Sequence, residues 1–334
     1  MSAESERTLR RRCRWVTVST KHWEVDEFGT TKGNRAKFIA YPDGRFAPIR
    51  KPPYRYYWKE SLARYPLEFW SEVLAYHIGA VAGVRVPACF PAVYEAKNEP
   101  HRVGSLSLSL VNNSSEELIH GGDLISQVMP SYDRAKGKQH SVQLIIQALR
   151  ERADDIRLYT ALFEQIVFDA LIGNQDRHQD NWGVKANVNV RIVDGRLIVE
   201  RRYAMLPAFD NGSSLGRELS SSRIEHLLRD KSSLDAYINR GKAHIRWRDG
   251  DTLQELTHEA LLRRHLTSFP SSRVAFKRII GFDEREMVRA IGRVCRLSRN
   301  LDQPGPSLDP AREAFLTQLV LRRRSRLLEL INDL

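Results

Sequence analysis

The chain of 334 residues is longer than one small hydrophobic core usually requires, so its length favours two packed lobes or domains. Hydrophobic residues make up 42% of the chain and charged residues 28%, which are ordinary values for a soluble protein. No apolar run approaches the roughly 20 residues that a membrane-spanning helix needs, and the charged N-terminus lacks the apolar core of a secretory signal. We therefore expect a cytoplasmic protein with no transmembrane segment.

The charge is strongly positive, because 53 Lys and Arg residues outnumber 41 Asp and Glu residues and give a net charge of +12. Such a surplus suits nucleotides, phosphorylated substrates, acidic proteins or nucleic acid, and it also serves solubility alone. The arginine runs at 10–12 and 322–324 lie near the two ends, where solvated helix faces are common, so nucleic acid is not expected as the main partner. The three cysteines form no CxxC pair, which argues against a zinc site or a disulfide framework.

Strands with a single helix are predicted for about the first 110 residues. Alternation of apolar and polar residues predicts strands at residues 14–18, 37–41, 46–51 and 106–110. Apolar residues at helical spacing predict a helix over residues 67–82, which Gly83 would end.

From about residue 113 onward the pattern becomes helical. Apolar residues recur every three or four positions over residues 159–171, which predicts a core-facing helix that ends at Gly173. Alternation over residues 188–199, with Asp194-Gly195 in the middle, predicts a β-hairpin. Residues 218–334 are predicted to form further helices. The whole pattern predicts an α+β architecture with a strand-rich lobe over residues 1–112, a helical lobe over residues 113–334, and a cleft between them.

Polar residues that can act in catalysis or metal binding cluster on both sides of the predicted hairpin. The loop before it contains Asp176 and Asn181 at the spacing of the catalytic aspartate and the metal-binding asparagine in protein kinases. The segment after it contains Asp210, followed by Asn211-Gly212, at the place of the second metal ligand. Phosphoryl transfer needs a carboxylate to orient the attacking hydroxyl and oxygen ligands to hold Mg²⁺. The pattern therefore predicts an ATP- and Mg²⁺-dependent kinase with Asp176 as base and Asn181 and Asp210 as metal ligands.

Simpler explanations exist for each part of this pattern. Asp-Arg-His occurs in ordinary polar turns, and Asp-Asn-Gly is a common turn tripeptide. Their joint position around a hairpin, after a helix with an unbroken apolar stripe, favours kinase chemistry. His178 could be a metal ligand or a base, but we expect a scaffold that fixes Asp176, and we expect Asp180 to face water.

These motifs resemble those of the HipA-like serine/threonine kinases and, more distantly, the loop of the phosphatidylinositol kinases. The resemblance rests on residues 171–178 with Asn181, and on residues 209–217. Further segments in the same order are 33–38, 49–52, 68–72 and 83–87, so that the resemblance covers about residues 15–260.

The resemblance implies roles for residues of the strand-rich lobe, which would then be the nucleotide-binding lobe. Lys51 would grip the ATP phosphates and Glu72 would hold that lysine, with Lys37 as the rival for the lysine role. The chain has no GxGxxG loop, and the segment with Gly29 and Gly33 is the candidate for covering the phosphates.

The resemblance also implies phosphorylation of Ser or Thr on a protein substrate. The alternatives are a kinase that acts on a lipid or a small molecule, and an inactive kinase-like module that binds protein or nucleic acid. A toxin or phage-defence role with an antitoxin or defence-system partner stays open. Founding HipA toxins carry an added N-terminal subdomain for their DNA-binding antitoxin, and with a first strand expected near residue 14 we do not expect that subdomain here.

Overall fold

A computed structural model describes residues 17–26, 37–42, 55–95, 100–112, 116–137, 139–194, 196–251, 256–301 and 305–334. The predicted strand at 46–51 lies outside these ranges, as do most of the predicted strand at 14–18 and the candidate phosphate-binding residues Lys51, Gly29 and Gly33. These predictions stay untested.

The first lobe contains a mixed six-stranded sheet whose strand order is β1-β5-β6-β4-β3-β2. Its strands are β1 Val18–Ser19, β2 Glu24–Asp26, β3 Lys37–Tyr41, β4 Tyr56–Glu60, β5 Cys89–Tyr94 and β6 Arg102–Leu108. The first strand pairs with β5 in parallel, whereas the other pairings are antiparallel.

The two faces of this sheet differ in chemistry because side chains alternate along each strand. On one face, Phe38 of β3 stacks on Trp58 of β4 with ring centroids 4.6 Å apart, and both rings are buried in an aromatic core. On the other face, Lys37 lies opposite Lys59 in the β3–β4 register. Period-two alternation therefore buries Tyr56 and Trp58 and turns Tyr57 and Lys59 to the opposite face.

The predicted helix of the first lobe is confirmed as α1, Glu68–Ala82, and it ends at Gly83 in the left-handed conformation. It is buried on nearly every side, because it packs on β5 and β6 and also on helices of the second lobe. Trp70 is fully buried and donates a hydrogen bond from Nε1 to the carbonyl oxygen of Pro306, at 2.7 Å. Helix α1 therefore joins the sheet to the helical lobe.

The second lobe contains a three-stranded sheet and nine described helices. The strands are β7 Glu116–His120, β8 Gly183–Val193 and β9 Arg196–Met205, in the order β7-β8-β9. The helices are α2 Gly121–Val128, α3 Val142–Arg150, α4 Ile156–Ile172, α5 Ser221–Arg229, α6 Lys231–Asn239, α7 His258–Ser268, α8 Arg273–Ile280, α9 Glu284–Arg299 and α10 Pro310–Asn332.

The predicted central helix and hairpin of this lobe are both confirmed. Helix α4 has an almost continuous buried side and ends at Gly173, which is left-handed with a φ of 68°. The hairpin of β8 and β9 closes between Val193 and Arg196, and Asp194 adopts a positive φ of 48° in its turn. The predicted α+β organisation, a strand-rich lobe followed by a mainly helical one, is confirmed as well. Within the described ranges, no helix is long and apolar enough to cross a membrane.

Gly173 offers a test of the packing at the end of α4. A Cβ at this position would lie 2.6 Å from Cζ of Arg323, and the positive φ would strain any L side chain. We expect Gly173→Ala to lower the free energy of unfolding by more than the roughly 1–2 kcal/mol of left-handed strain alone. Gly250→Ala is the matched control, because Gly250 has a φ of 84° and its Cβ would meet open space. Urea unfolding measures the free energy for both variants. Equal losses in the two variants would show that the Arg323 side chain moves aside at no energetic cost.

Candidate active site

A buried ion pair fixes the loop that follows α4. Arg177 is 1% exposed and forms a two-pronged contact with Asp169 of α4, in which Nη2 donates to Oδ1 at 2.7 Å and Nε donates to Oδ2 at 2.9 Å. Burial alone would lower the pKa of Arg177, but the charge of Asp169 and these hydrogen bonds hold it above its ordinary value. The guanidinium therefore stays charged and binds the loop to the helix.

The same guanidinium also binds two other segments of the site. Nη1 donates to the carbonyl oxygens of Asn181, at 2.8 Å, and Phe209, and Nη2 donates to Oδ1 of Asn211 at 2.8 Å. Asn181 closes the loop before the hairpin, whereas Phe209 and Asn211 flank Asp210 after it. Arg177 thus fixes the spacing between the loop that contains Asp176 and Asn181 and the segment that contains Asp210.

Asp176 is held by its backbone, which leaves its half-buried carboxylate partly exposed. Its amide nitrogen donates to Oδ1 of Asn174 at 3.1 Å, and its carbonyl oxygen accepts from Nδ2 of Asn181 at 2.8 Å. Ser213 donates from Oγ to the carboxylate oxygen Oδ2 at 3.4 Å. A carboxylate whose backbone is fixed while one side faces solvent is placed to accept a proton from a bound hydroxyl.

Three distant parts of the chain meet around Lys59. Its Nζ lies 3.3 Å from Oδ1 of Asp210 and 3.6 Å from Oε1 of Glu72. Glu72 is 6% exposed, and its Oε2 accepts a hydrogen bond from the amide nitrogen of Asn211 at 2.9 Å. The strand β4, the helix α1 and the segment after β9 thus contribute one group each to a single charged cluster.

Asp210 itself has an unusual backbone, with a positive φ of 56°. Asp and Asn visit this left-handed region more readily than other residues with a Cβ. The neighbouring Asn211 anchors the turn by donating from Nδ2 to the carbonyl oxygen of Ala208 at 2.9 Å. The strain is of the kind that persists where the surrounding structure fixes the backbone, as in many functional sites.

The segment after Asp210 is bound to the start of α1. Arg217 forms an ion pair with Glu68 and lies over the ring of Tyr65, with Cζ 4.4 Å from the ring centroid. Gly212 passes so close that a Cβ there would lie 3.0 Å from Cγ of Glu68. Helix α1 therefore contacts this segment through Glu68, through Glu72 and through Ser71, whose Oγ donates to the carbonyl oxygen of Ser214 at 3.2 Å.

The structure places Asp176, Asn181, Asp210 and Glu72, which the sequence singled out, in one region of the molecule. The sequence assigned Lys51 to Glu72, and Lys51 lies outside the described residues. The observed partner is Lys59, which the sequence analysis missed. The rival Lys37 lies opposite Lys59 on the same face of the sheet. The signal for Lys59 was its place beside Trp58 in a short aromatic strand just before the helix that carries Glu72.

His178 and Asp180 both make contacts within or beside the loop. His178 was expected to be a hydrogen-bonded scaffold that fixes Asp176, and its Nδ1 accepts a hydrogen bond from the amide nitrogen of Asp180 at 3.2 Å. Asp180 was expected to face water, and its side chain is 37% exposed while it also forms an ion pair with Arg134, whose Nη2 lies 2.5 Å from Oδ1. Both side chains therefore shape the second half of the loop.

The donor set suits Mg²⁺ that arrives with a nucleotide. Within the described ranges, no group of three or more His, Cys, Asp or Glu residues gathers as a closed metal site. Magnesium commonly binds through one or two protein carboxylates together with substrate phosphates and water. The carboxylate of Asp210 and the side-chain oxygen Oδ1 of Asn181 are hard oxygen donors of the required type. The side-chain nitrogen Nδ2 of Asn181 already donates to the carbonyl oxygen of Asp176.

A sheet lobe with a Lys–Glu pair, joined to a helical lobe with this loop and Asp210, defines a protein-kinase-like fold. The chain is similar in structure to a Helicobacter pylori proinflammatory kinase, CtkA, with a TM-score of 0.66 and 18% sequence identity over 94% of this chain and 96% of that chain. No protein-family model matches the sequence, and no curated protein matches it. The similarity confirms the predicted two-lobed kinase-like fold.

Substitutions at Arg177 and Asp176 test whether the buried Arg177–Asp169 pair stabilises the fold while Asp176 does not. Arg177→Leu would leave Asp169 buried without its cation, and we expect a loss of about 3–5 kcal/mol in the free energy of unfolding. Asp176→Asn preserves shape on a half-buried side chain, so we expect a change of at most about 1 kcal/mol. Arg134→Leu is the control for a lost arginine, because its ion pairs are partly exposed and worth roughly 0–1 kcal/mol. Urea unfolding of all three gives the comparison, and a small loss in Arg177→Leu would contradict the central role of this pair.

Proposed function

We propose that this protein is a kinase that transfers the γ-phosphoryl group of ATP, with Mg²⁺, to a hydroxyl group. The observation that carries the proposal is the position of Lys59 Nζ, 3.6 Å from Glu72 Oε1 and 3.3 Å from Asp210 Oδ1. In protein kinases, a strand lysine paired with a helix glutamate and an aspartate that binds magnesium must both be in place for transfer. The proximity of Lys59, Glu72 and Asp210 supports equating them with these three groups.

Each residue then has a defined task. Lys59 would hold the nucleotide phosphates, and Glu72 would keep the lysine in position. The oxygens of Asp210 and Asn181 would hold Mg²⁺, which offsets the negative charge of the phosphates when bound. Phosphate binding at Lys59 would exchange part of its contact with Asp210 for phosphate oxygens.

Asp176 would act on the acceptor. Its partly exposed carboxylate would orient the acceptor hydroxyl and receive its proton as the phosphoryl group transfers. The hydrogen bond from Ser213 would hold one carboxylate oxygen and leave the other for the acceptor. Arg177 would serve as a positioning residue, because it binds the segments on both sides of Asp176 and Asp210.

We propose a Ser or Thr side chain of a protein as the acceptor, in line with the resemblance to HipA-like kinases. The net charge of +12 supports an acceptor with acidic surroundings. We propose residues 1–112 as the nucleotide-binding lobe and residues 113–334 as the catalytic lobe. Incubation with radiolabelled ATP and Mg²⁺, alone and with a cell lysate, separates a protein kinase from a lipid or small-molecule kinase and from an inactive module.

The nucleotide site can be tested by thermal stability. ATP with Mg²⁺ or Mn²⁺ should raise the melting temperature far more than ATP with EDTA, because binding to the folded state adds about 2.7 kcal/mol at 100 times Kd. Lys59→Met should abolish most of this shift while the protein stays folded. Lys37→Met and Lys51→Met are the matched controls, which remove the same charge from other positions of the lobe. A melting temperature indifferent to Mg-ATP would contradict the proposed kinase, and loss of the shift in Lys51→Met alone would contradict the assignment of Lys59.

The two aspartates should give different kinetic signatures. Asp176→Asn removes basicity but few binding contacts, so we expect nearly unchanged Mg-ATP affinity and a transfer rate lower by about 10²-fold or more. Asp210→Asn removes a metal ligand, so we expect weaker metal-dependent nucleotide binding. Calorimetry and a phosphoryl-transfer assay measure the two effects, with circular dichroism as the folding control. Equal activity of Asp176→Asn and the parent toward a confirmed acceptor would remove Asp176 from the mechanism.

A further inference from the structure

A separate cavity of about 260 Å³ lies between α6, α7 and α10, at the C-terminal end of α4. We propose that it is a binding site for a small tetrahedral oxyanion, either free phosphate or the phosphate group of a small metabolite. The residues that carry the argument are Thr257, His258, Glu259, Arg263, Arg323 and Arg326. Typical pockets for drug-sized ligands measure about 300–1,000 Å³, so this smaller cavity suits a phosphate with few added atoms.

Arg323 is the first reason for this assignment. The run 322–324 was expected to lie on a solvated helix face, yet Arg323 is only 4% exposed. In the part of the chain that the structure describes, no carboxylate lies within ion-pair distance of it, Glu218 acts on it only from farther away, and its buried Nε has no hydrogen-bond acceptor. Burial therefore lowers the pKa of Arg323. A buried guanidinium without a counter-charge is costly, and an anion in the adjoining cavity would offset that cost.

His258 is the second reason. It is 6% exposed and makes a hydrogen bond to the backbone of Asn174, whereas its Nε2 is buried with no partner among the described residues. Burial lowers the pKa of His258 to about 3, so the ring is neutral near pH 7. A neutral ring that donates from Nδ1 has a lone pair on Nε2, which can accept a hydrogen bond from a P–OH group.

The side chains that line the cavity also carry more positive than negative charge. Arg263 and Arg326 line it together with Arg323, and the one carboxylate in the lining is that of Glu259. Glu259 is already shared between Arg326, at 3.3 Å, and Arg263, at 3.5 Å. Outside the lining, Arg263 also pairs with Asp333 and Arg326 with Glu329, each at 3.6 Å, but both of these carboxylates are exposed to solvent. Helix α7 begins at the cavity with Thr257 as its N-cap, and a helix N-terminus adds partial positive charge.

The cavity adjoins the base of the catalytic loop. Arg323 donates from Nη1 to the carbonyl oxygen of Ala170 at 3.3 Å and lies against Gly173, and His258 contacts Asn174. An arginine that only caps α4 would account for the first contact, since a cation at a helix C-terminus is favourable by about 0.3–1 kcal/mol. It would not account for the buried Nε2 of His258 or for the remaining arginines around one cavity.

Calorimetry on the intact chain tests the site, with inorganic phosphate and O-phosphoserine as probes at constant ionic strength. We expect saturable binding at one site, and the tighter probe shows whether the free ion or a phosphate ester is preferred. The double variant Arg263→Gln/Arg326→Gln, which avoids the buried Arg323, should weaken binding at least 10-fold. Arg285→Gln/Arg289→Gln is the control with the same change in charge, on the exposed side of α9, and should bind like the parent.

Two further variants locate the site. Glu259→Gln removes the one carboxylate of the lining and should tighten phosphate binding several-fold, an effect that mere loss of structure would not produce. Lys59→Met should leave phosphate binding unchanged, because the cavity is distinct from the proposed nucleotide site, so the result does not depend on kinase activity. Absence of saturable binding, equal affinity in all cavity variants, or loss of binding in Lys59→Met alone would overturn the proposal and leave Arg323 as a helix cap.

Discussion

Arg177 carries its charge in the interior of the protein, and the geometry of the candidate site depends on how that charge is satisfied. Asp169 neutralises it from the rigid end of α4, which is itself packed in the main core. The remaining donors of the guanidinium then bind the backbone of the loop and the segment after the hairpin. Two loops that are far apart in sequence thus acquire a fixed spacing from one planar group. Lysine could not replace it, because a point charge offers no fork of donors in fixed directions.

Helix α1 extends this constraint to the sheet. Glu68 and Glu72 lie one turn apart on the helix, and both are almost fully buried. Each has a cationic partner from a different element, Arg217 for the first and Lys59 for the second. Because buried carboxylates without such partners would be unstable, the helix, the sheet and the segment after Asp210 favour one mutual arrangement. The lobes are therefore connected through charge pairs as well as through apolar packing.

The sequence predicted the parts of this fold that have strong local signals. Helix α4 has a long apolar stripe with a glycine at its end, and the hairpin has Asp-Gly between alternating residues, so both could be predicted. The strands β2, β4, β5 and β7 were missed. Strand β5 is buried throughout, so it shows no alternation, and two adjacent tyrosines hide the alternating burial of β4 in the sequence. Strands β2 and β7 are short and mostly polar. The pairing of Lys59 with Glu72 depends on which strand lies beside α1, and no local pattern encodes that. The cavity around Arg323 was also missed. An arginine run near a chain end has the composition of a solvated surface, and no local pattern shows that Arg323 is buried.

The positive φ of Asp210 limits what substitutions at this position can reveal. Asn tolerates the left-handed region about as well as Asp, so the change to Asn alters charge with little effect on the backbone. Ala would add backbone strain to the loss of the carboxylate, and a β-branched residue would add still more. Gly would relieve the strain and free the turn to sample other conformations. A survey of all substitutions here would therefore mix two effects, and a ranking by activity would partly measure conformational preference rather than the loss of the carboxylate.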